Sequence, residues 1–227
     1  MKAVSARQTL KSARVLRRPT PRNSSIGTRL AIMAAATEEF ADKGYDGARV
    51  DEIATNAGVN KNLIYHHYAS KDGLFTAVLE NTYEAIRKRQ HDLAIRDADP
   101  VAGMRKLVIF TGRIWIQLPA FQRLLHSENL HQGVHVKRLP RVRQIYNPLL
   151  ETIQDLLDRG VKNGHFRKNI DPIDLYISIS SLTAHYISNR YTFEAIFGKR
   201  LMTPSRLRQR LDHAAEMVLR YVQRHPT

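Results

Sequence analysis

Cysteine is absent from the 227 residues of the chain. Its absence excludes disulfide bonds, thiolate metal sites and a cysteine nucleophile. A chain without cysteine suits a reducing compartment, and we expect the protein to act in the cytoplasm. Long apolar runs are also missing, since none approaches the roughly 18 residues of a transmembrane helix. We therefore expect no membrane partner.

Strand-like alternation of apolar and polar residues is nowhere sustained, and glycine-rich loops that could cradle a phosphate are missing. Apolar residues make up 43% of the chain, enough for a packed core. They recur at helical spacing, as in Ile32, Ala35, Ala36 and Phe40. The pattern predicts an all-α fold of about nine helices. Nothing in it predicts a catalytic site, a cofactor or a resident metal.

Acidic residues are scarce, and the formal net charge is +15. Such a charge favours a polyanionic partner. Residues 1–27 hold seven basic residues and no acid, whereas 28–95 carry −2 and 96–227 carry +10. We interpret 1–27 as a disordered basic arm. Three roles remain open for this arm: contact with DNA, a solvated tail, or an organellar transit peptide.

Turn and cap residues divide the rest of the chain. Thr28 is a predicted N-cap for the first helix, Gly44 and Gly58 end the first and second, and Ser70 caps a fourth that reaches about Ile95. Asp99-Pro100 marks a predicted boundary between domains 28–95 and 96–227. Further helices are predicted near 101–118, 119–127, 139–163, 172–197 and 204–224.

Two short helices that flank a glycine-containing turn, with another helix packed behind, predict a helix-turn-helix from about Val50 to His67. On its second helix, Leu63 and Ile64 are expected to face the core. Lys61, Asn62, Tyr65 and His66 then project outward. Asn and Lys can pair with base edges, and Tyr and His can bond phosphate oxygens. Adjacent His66 and His67 point about 100° apart, which argues against a metal site there.

The stretch Ile32–Phe75 resembles the N-terminal domain of the tetracycline-repressor (TetR) family of bacterial transcription regulators. Order and spacing carry the resemblance over about 45 residues. The matching residues are Ala35, Ala36, Phe40, Gly44, Tyr45, Val50, Ile53, Ala54, Ala57, Gly58, Val59, Leu63, Ile64, Tyr65, His67, Tyr68, Ser70, Lys71 and Leu74.

The resemblance implies how individual residues meet DNA. Lys61, Asn62 and Leu63 would read bases at the start of the recognition helix. Tyr65 and His67 would contact phosphate, Lys71 would touch the DNA backbone, and His66 lies at a variable position. The sequence departs from the family at two caps: Asn60 stands where Ser is common, and Arg49, where Ser or Thr often caps, is expected to contact phosphate. The predicted DNA-binding set is Arg49, Asn60, Lys61, Asn62, Leu63, Tyr65, His66, His67 and Lys71.

The resemblance also implies that 96–227 binds a small effector and forms a homodimer through the last two predicted helices. The apolar stripe of the last helix has two open readings, a partner interface or the core of its own subunit. Candidate effector contacts are Phe110, Trp115, His126, Asn129, Tyr146, His185 and Tyr186, each with a structural role as the alternative. A metal sensor built from His126, Glu128, His131 and His135 is a further alternative.

Together these features predict a ligand-responsive transcriptional regulator, expected to be a repressor. It would bind a palindromic DNA operator as a homodimer, and a small-molecule effector would release it. In this reading it is a bacterial cytoplasmic protein that associates with the nucleoid when bound to DNA. The alternative is a non-specific architectural DNA-binding protein. An enzyme is not expected, because the one dense cluster of His, Asn and Tyr side chains is assigned to DNA.

Overall fold

The computed structural model describes residues 25–91, 95, 98–139 and 141–224, so the predicted basic arm 1–27 lies almost wholly outside it. These residues form ten α-helices and one short 3-10 helix, Val136–Arg138, without a β-sheet. The all-α prediction is confirmed. The helices are α1 Ser25–Gly47, α2 Val50–Ala57, α3 Lys61–Tyr68, α4 Lys71–His91, α5 Pro100–Gln117, α6 Pro119–Leu130, α7 Val142–Lys162, α8 Pro172–Ser188, α9 Arg190–Phe197 and α10 Pro204–Val222.

Two helix boundaries differ markedly from the sequence prediction, and α6 also runs on to Leu130 beyond its predicted end at 127. Helix α1 already runs at Ser25, so Thr28 lies inside the helix instead of capping it. A cap residue marks a start only where the preceding chain leaves the helix, and here it does not. The predicted helix 172–197 is two helices, because the backbone turns at Asn189 without a glycine or proline to signal the break. This break raises the number of α-helices from about nine to ten.

Other predicted boundaries are confirmed by backbone geometry. Gly44 has non-helical dihedral angles (φ 68°, ψ 177°), so the regular part of α1 ends there. The Ser70 hydroxyl accepts the N–H of Gly73 at 3.0 Å and caps α4. Three later helices begin with proline in the first turn behind a side-chain cap, supplied by Asp99, Asp171 and Thr203.

The buried side chains form two cores. The first joins α1–α4 to the end of α5 and to α6, and includes Ile32, Phe40, Ile53, Ile64, Leu79, Ile114, Trp115, Phe121 and Leu124. The second joins the start of α5 to α7, α8 and α10, and includes Met104, Leu107, Leu156, Ile179, Ala215 and Val218. Burial of each large side chain contributes roughly 1.5–3 kcal/mol. The first core therefore fixes α1–α4 against α5 and α6, across the predicted boundary at Asp99.

None of the helices in the described ranges combines the length and apolar character needed to cross a membrane.

Candidate nucleic-acid interface and interior site

Helices α2 and α3 form the predicted helix-turn-helix. Gly58 ends α2 in the left-handed conformation (φ 66°), and its N–H reaches the carbonyls of Ala54 and Thr55. The Asn60 side chain then accepts the N–H of Asn62 at 2.8 Å and starts α3. Buried Ile64 and Tyr68 hold α3 on the first core. Because these two anchors fix the rotation of α3, its opposite face is turned to solvent.

The outward face of α3 is polar. Asn62, Tyr65 and His66 are exposed, whereas Leu63 and His67 are half-buried. The expectation that Leu63 faces the core beside Ile64 is therefore met only in part, since the turn from Gly58 to α3 leaves its side chain at the edge of the core.

Lys61 already has a partner within the protein. Its ammonium Nζ lies 2.9 Å from the Asp51 carboxylate at the start of α2. The nitrogen also lies 5.8 Å from the centre of the Tyr65 ring. The hydrogen bond with Asp51 raises the pKa of Lys61. The pair is exposed, so water and salt screen it and Lys61 can exchange Asp51 for another acceptor at little cost.

Lys71 and Arg49 are predicted DNA contacts outside α3. The Lys71 ammonium donates to the carbonyl of Asp46 at 3.2 Å and lies 5.0 Å from the centre of the Tyr45 ring. The Arg49 N–H donates to the Glu39 carboxylate at 3.0 Å. The Arg49 side chain does not cap α2, as expected, and it is exposed. DNA contact by either residue stays a prediction.

A row of aromatic side chains lies between the helices of the other half of the first core. The Trp115 and Phe121 rings stack at 5.3 Å with an interplanar angle of 15°. The row continues edge to face, with centroid distances of 5.5, 5.6 and 6.1 Å. The Arg87 guanidinium lies 4.8 Å from the centre of the Tyr146 ring. We call this set the ring cluster: Tyr83, Arg87, Trp115, Phe121, Tyr146 and Tyr176.

The ring cluster holds two hydrogen-bond donors that have no acceptor among the described residues. Burial raises the pKa of Tyr83 to about 12. Burial likewise raises the pKa of Tyr146 well above its ordinary value. The indole Nε1 of Trp115 and the Nε of Arg87 are both buried, and no described residue accepts a hydrogen bond from either. An unpaired buried donor of this kind costs about 1–3 kcal/mol.

Of the seven predicted effector contacts, the structure brings Trp115 and Tyr146 into this cluster. Phe110 is half-buried and packs against the same core. The Tyr186 hydroxyl lies elsewhere and donates to the carbonyl of Leu201 at 2.9 Å.

The other three predicted effector contacts are exposed. His126 lines a shallow surface depression beside α1 and α9. Asn129 donates to the carbonyl of Leu125 at 2.7 Å. The His185 ring lies 5.4 Å from the Phe193 ring. These three side chains do not meet Trp115 and Tyr146.

Sequence reasoning missed four members of the ring cluster: Tyr83, Arg87, Phe121 and Tyr176. The spacing of Tyr83 and Arg87, four residues apart on α4, was a local signal that both share a face. Phe121 and Tyr176 carry no such signal.

A loop after α6, residues 131–139, leads toward α7; we call it the junction loop. Its organiser is the buried Glu128 carboxylate on α6, which accepts the N–H groups of His135 and Val136 at 2.8 and 2.9 Å. The His135 Nδ1 lies 2.8 Å from the same carboxylate. The His135 ring packs on Tyr45 and Phe75, with centroids 4.6 and 4.9 Å away. The loop is thereby seated on α1 and α4.

Polar contacts fasten the junction loop to the start of α4. The Tyr45 hydroxyl donates to Asp72, and the Arg138 guanidinium lies 3.2 Å from the same carboxylate. These hydrogen bonds, led by that from Tyr45, lower the pKa of Asp72. Asp72 directly follows Lys71 in α4. A displacement of the loop would therefore act on a predicted DNA contact.

The histidines proposed as an alternative metal sensor serve other contacts. The His131 Nδ1 lies 2.8 Å from the Ser127 carbonyl and its Nε2 lies 3.1 Å from Asp46. The contact with Ser127, followed by that with Asp46, raises the pKa of His131. Across the described part of the chain, no three His, Asp or Glu side chains are grouped to hold a metal ion.

Comparison with known proteins identifies the family to which this fold belongs. The family description "Bacterial regulatory proteins, tetR family" matches residues 32–78, and "Tetracyclin repressor-like, C-terminal domain" matches residues 100–218. The HTH-type transcriptional repressor NicS of Pseudomonas putida is 31% identical over 197 residues, which cover 87% of this chain and 93% of the relative. The HTH-type transcriptional regulator RutR of Escherichia coli is 24% identical, over 83% of this chain and 87% of the relative.

Solved structures share the fold. The ketosteroid transcriptional regulator KstR2 of Mycobacterium tuberculosis has a TM-score of 0.63 at 21% identity, covering 89% of this chain and 97% of that chain. A TetR family transcription regulator from Marinobacter aquaeolei has a TM-score of 0.66 at 19% identity, covering 87% and 96%. Sequence and fold agree, and the chain belongs to the TetR family of bacterial transcriptional regulators.

Proposed function

We propose that the protein is a repressor that binds a palindromic DNA operator as a homodimer and is released by a small-molecule effector in the bacterial cytoplasm. The observation that carries this proposal is the outward face of α3. Asn62, Tyr65 and His66 are exposed there on a helix whose rotation is fixed by buried Ile64 and Tyr68. A recognition helix needs this combination, because its polar face must enter the major groove in one orientation.

The residues around α3 divide into two roles. Lys61, Asn62 and Leu63 at its start read base edges, since Lys and Asn pair with guanine and adenine in the major groove. Lys61 exchanges its Asp51 partner for the base. The remaining members hold the phosphate backbone and set the register, with Asn60 fixing the start of the helix. They are Arg49, Tyr65, His66, His67 and Lys71.

The dimer is held by the outward faces of α8 and α10. Ile173 and Ile177 on α8 are exposed, as are Met217 and Tyr221 on α10. By contrast, Ala215, Val218 and Val222 of the α10 stripe are buried in the second core of their own subunit, and Leu211 is buried as well. Of the two readings of that stripe, the structure supports the intrasubunit core.

Release is a population shift between two arrangements of the reading heads. An effector shifts this equilibrium only by its different affinity for the two states. The junction loop is the proposed coupling element, because α6 carries both Phe121 of the ring cluster and Glu128, which organises the loop. A change at the rings then acts through Glu128 on the Tyr45–Asp72 contact beside Lys71.

The test is selection of binding sites from random DNA with the full chain, followed by footprinting. We expect a symmetric site whose half-site centres lie about 34–36 Å apart, or a multiple of that distance. Binding without an enriched sequence would favour the architectural DNA-binding protein instead, whose only support is the net charge of +15.

A further inference from the structure

Two donors of the ring cluster have no acceptor among the described residues. Trp115 is only 9% exposed, and its indole N–H finds no acceptor in the described residues. The Nε of Arg87, whose guanidinium lies over the Tyr146 ring, also has no acceptor there. Both groups are donors only, so protonation changes cannot satisfy them. Buried polar groups are paired in the great majority of cases, and two orphans in one cluster need a partner.

The aromatic side chains of the cluster indicate the shape of that partner. Trp115, Phe121, Tyr83 and Tyr146 present ring faces and edges at centroid distances of 5.3–5.6 Å. Such a wall favours a flat ring, because aromatic pairs gain energy from stacked and edge-to-face contacts beyond the area they bury. An aliphatic ligand of the same volume would gain only the free energy of burying its apolar surface.

The region between α4, α5 and α6 is occupied by side chains. Helix α4 packs closely on α7, whereas its backbone stays apart from α5 and α6 over most of its length. Tyr83, Trp115 and Phe121 bridge that separation. These side chains, and not the helix backbones, therefore fill the region between α4, α5 and α6.

Charge decides which end of the ligand lies at Arg87. The guanidinium is half-buried beside Tyr146, and its Nη1 donates to the side-chain oxygen of Gln90, a neutral acceptor. The charge of Glu128 also acts on Tyr83, but its oxygens accept hydrogen bonds from the junction loop. Arg87 forms no ion pair with a carboxylate in the described ranges, so the cluster favours an anion over a cationic ligand.

We infer that the ring cluster binds a planar aromatic carboxylate, with the ring among Trp115, Phe121 and Tyr83 and the carboxylate on Arg87. This inference rests on the proposed function, since it names the chemical class of the effector. A second acceptor on the ring, such as a hydroxyl or ring nitrogen, pairs with the Trp115 N–H. A carboxylate is chosen over a larger anion because planar guanidinium and carboxylate groups match in geometry.

The experiment titrates the full chain with benzoate and 2-naphthoate and with their neutral amides, benzamide and 2-naphthamide. Calorimetry gives the affinities. Trp115 is the one tryptophan of the chain, so its fluorescence reports benzoate at the cluster itself. We expect at least one carboxylate to bind about tenfold or more tightly than its amide, the size of one charge-assisted hydrogen bond. Cyclohexanecarboxylate should bind more weakly than benzoate.

Arg87→Gln should remove the preference for carboxylate over amide. The matched control is Arg113→Gln, which changes an exposed arginine on the neighbouring α5 and should keep the preference. Circular dichroism checks folding. If Arg87→Gln does not fold, Arg87→Lys retains the charge without the planar fork and should reduce the preference.

The inference is overturned if neither carboxylate binds, if the amides bind as well, or if the preference survives in Arg87→Gln. Operator binding by the same preparation is measured separately. A protein that binds a selected operator but no aromatic carboxylate defeats the effector class alone. A protein that binds benzoate through Arg87 but selects no DNA sequence defeats the proposed repressor and leaves the ligand class standing.

Discussion

The face of α3 and the ring cluster are both candidate binding sites, yet they are built in opposite ways. The α3 face is exposed, and its ionic contact, Lys61 with Asp51, is surrounded by water. The ring cluster lies between five helices and is mostly buried, and two of its donors have no acceptor in the described chain. A change on α3 should therefore alter binding without altering stability, whereas a change in the ring cluster should alter both.

The largest expected effect separates the two regions by stability. Phe121→Ala removes the ring that joins Trp115 to Tyr83, and should lower the free energy of unfolding by about 3–5 kcal/mol. His66→Ala, on the exposed face of α3, should change it by less than about 0.5 kcal/mol. Urea denaturation followed by circular dichroism measures both. Equal losses in the two variants would erase the distinction between the regions.

The dimer surface is the next test, since it is exposed in one subunit but expected to be buried in the pair. Ile177→Glu places a charge on the outward face of α8 and should weaken dimerisation by about 100-fold or more while leaving the fold intact. Leu130→Glu makes the same change at an exposed position on α6 and should have no effect. Sedimentation over a range of concentrations decides; a fully dimeric Ile177→Glu would locate the interface elsewhere.

The basic arm is a second predicted DNA contact, which can be tested separately from α3. Residues 1–27 carry +7, and we predict that they add affinity without sequence preference. Each phosphate they neutralise should steepen the fall of log K with log salt by about 0.9. Deletion of 1–27 should therefore flatten that slope and keep the base preference. Binding titrations at several salt concentrations measure it, and an unchanged slope would make the arm a solvated tail.

The smallest expected effect is a pH dependence at the junction loop. His131 has a raised pKa in the folded protein, because the Ser127 carbonyl and Asp46 favour its charged form. Its contribution to stability is complete below the ordinary pKa of 6.5 and is lost as pH rises through the raised value. His131→Gln should remove that part of the decline. Unfolding curves across this pH range compare the two, and parallel declines would contradict it.

The helix-turn-helix could be predicted from the sequence, whereas most of the ring cluster could not. The helix-turn-helix depends on neighbours in the chain, so Gly58, Asn60 and Ser70 marked its turns and caps correctly. The ring cluster depends on packing between helices, which is why Phe121 and Tyr176 were not identified.

The exceptions have local physical reasons. The break between α8 and α9 at Asn189 carries no glycine or proline. Thr28 was a competent cap in a place where the helix had already begun. The α10 stripe showed burial correctly, but periodicity alone does not say whether a face is buried by its own subunit or by a partner.

The central claim is that the start of α3 reads DNA bases. Its most direct test is the affinity of Lys61→Ala and Asn62→Ala for the selected operator and for all its single-base variants, with Tyr65→Phe as the control for a phosphate contact. Each alanine variant should lose about 1–3 kcal/mol of preference at particular base pairs, whereas Tyr65→Phe should weaken all sequences by a similar factor. Unchanged base preference in both alanine variants would contradict the assignment of α3 as the reading helix.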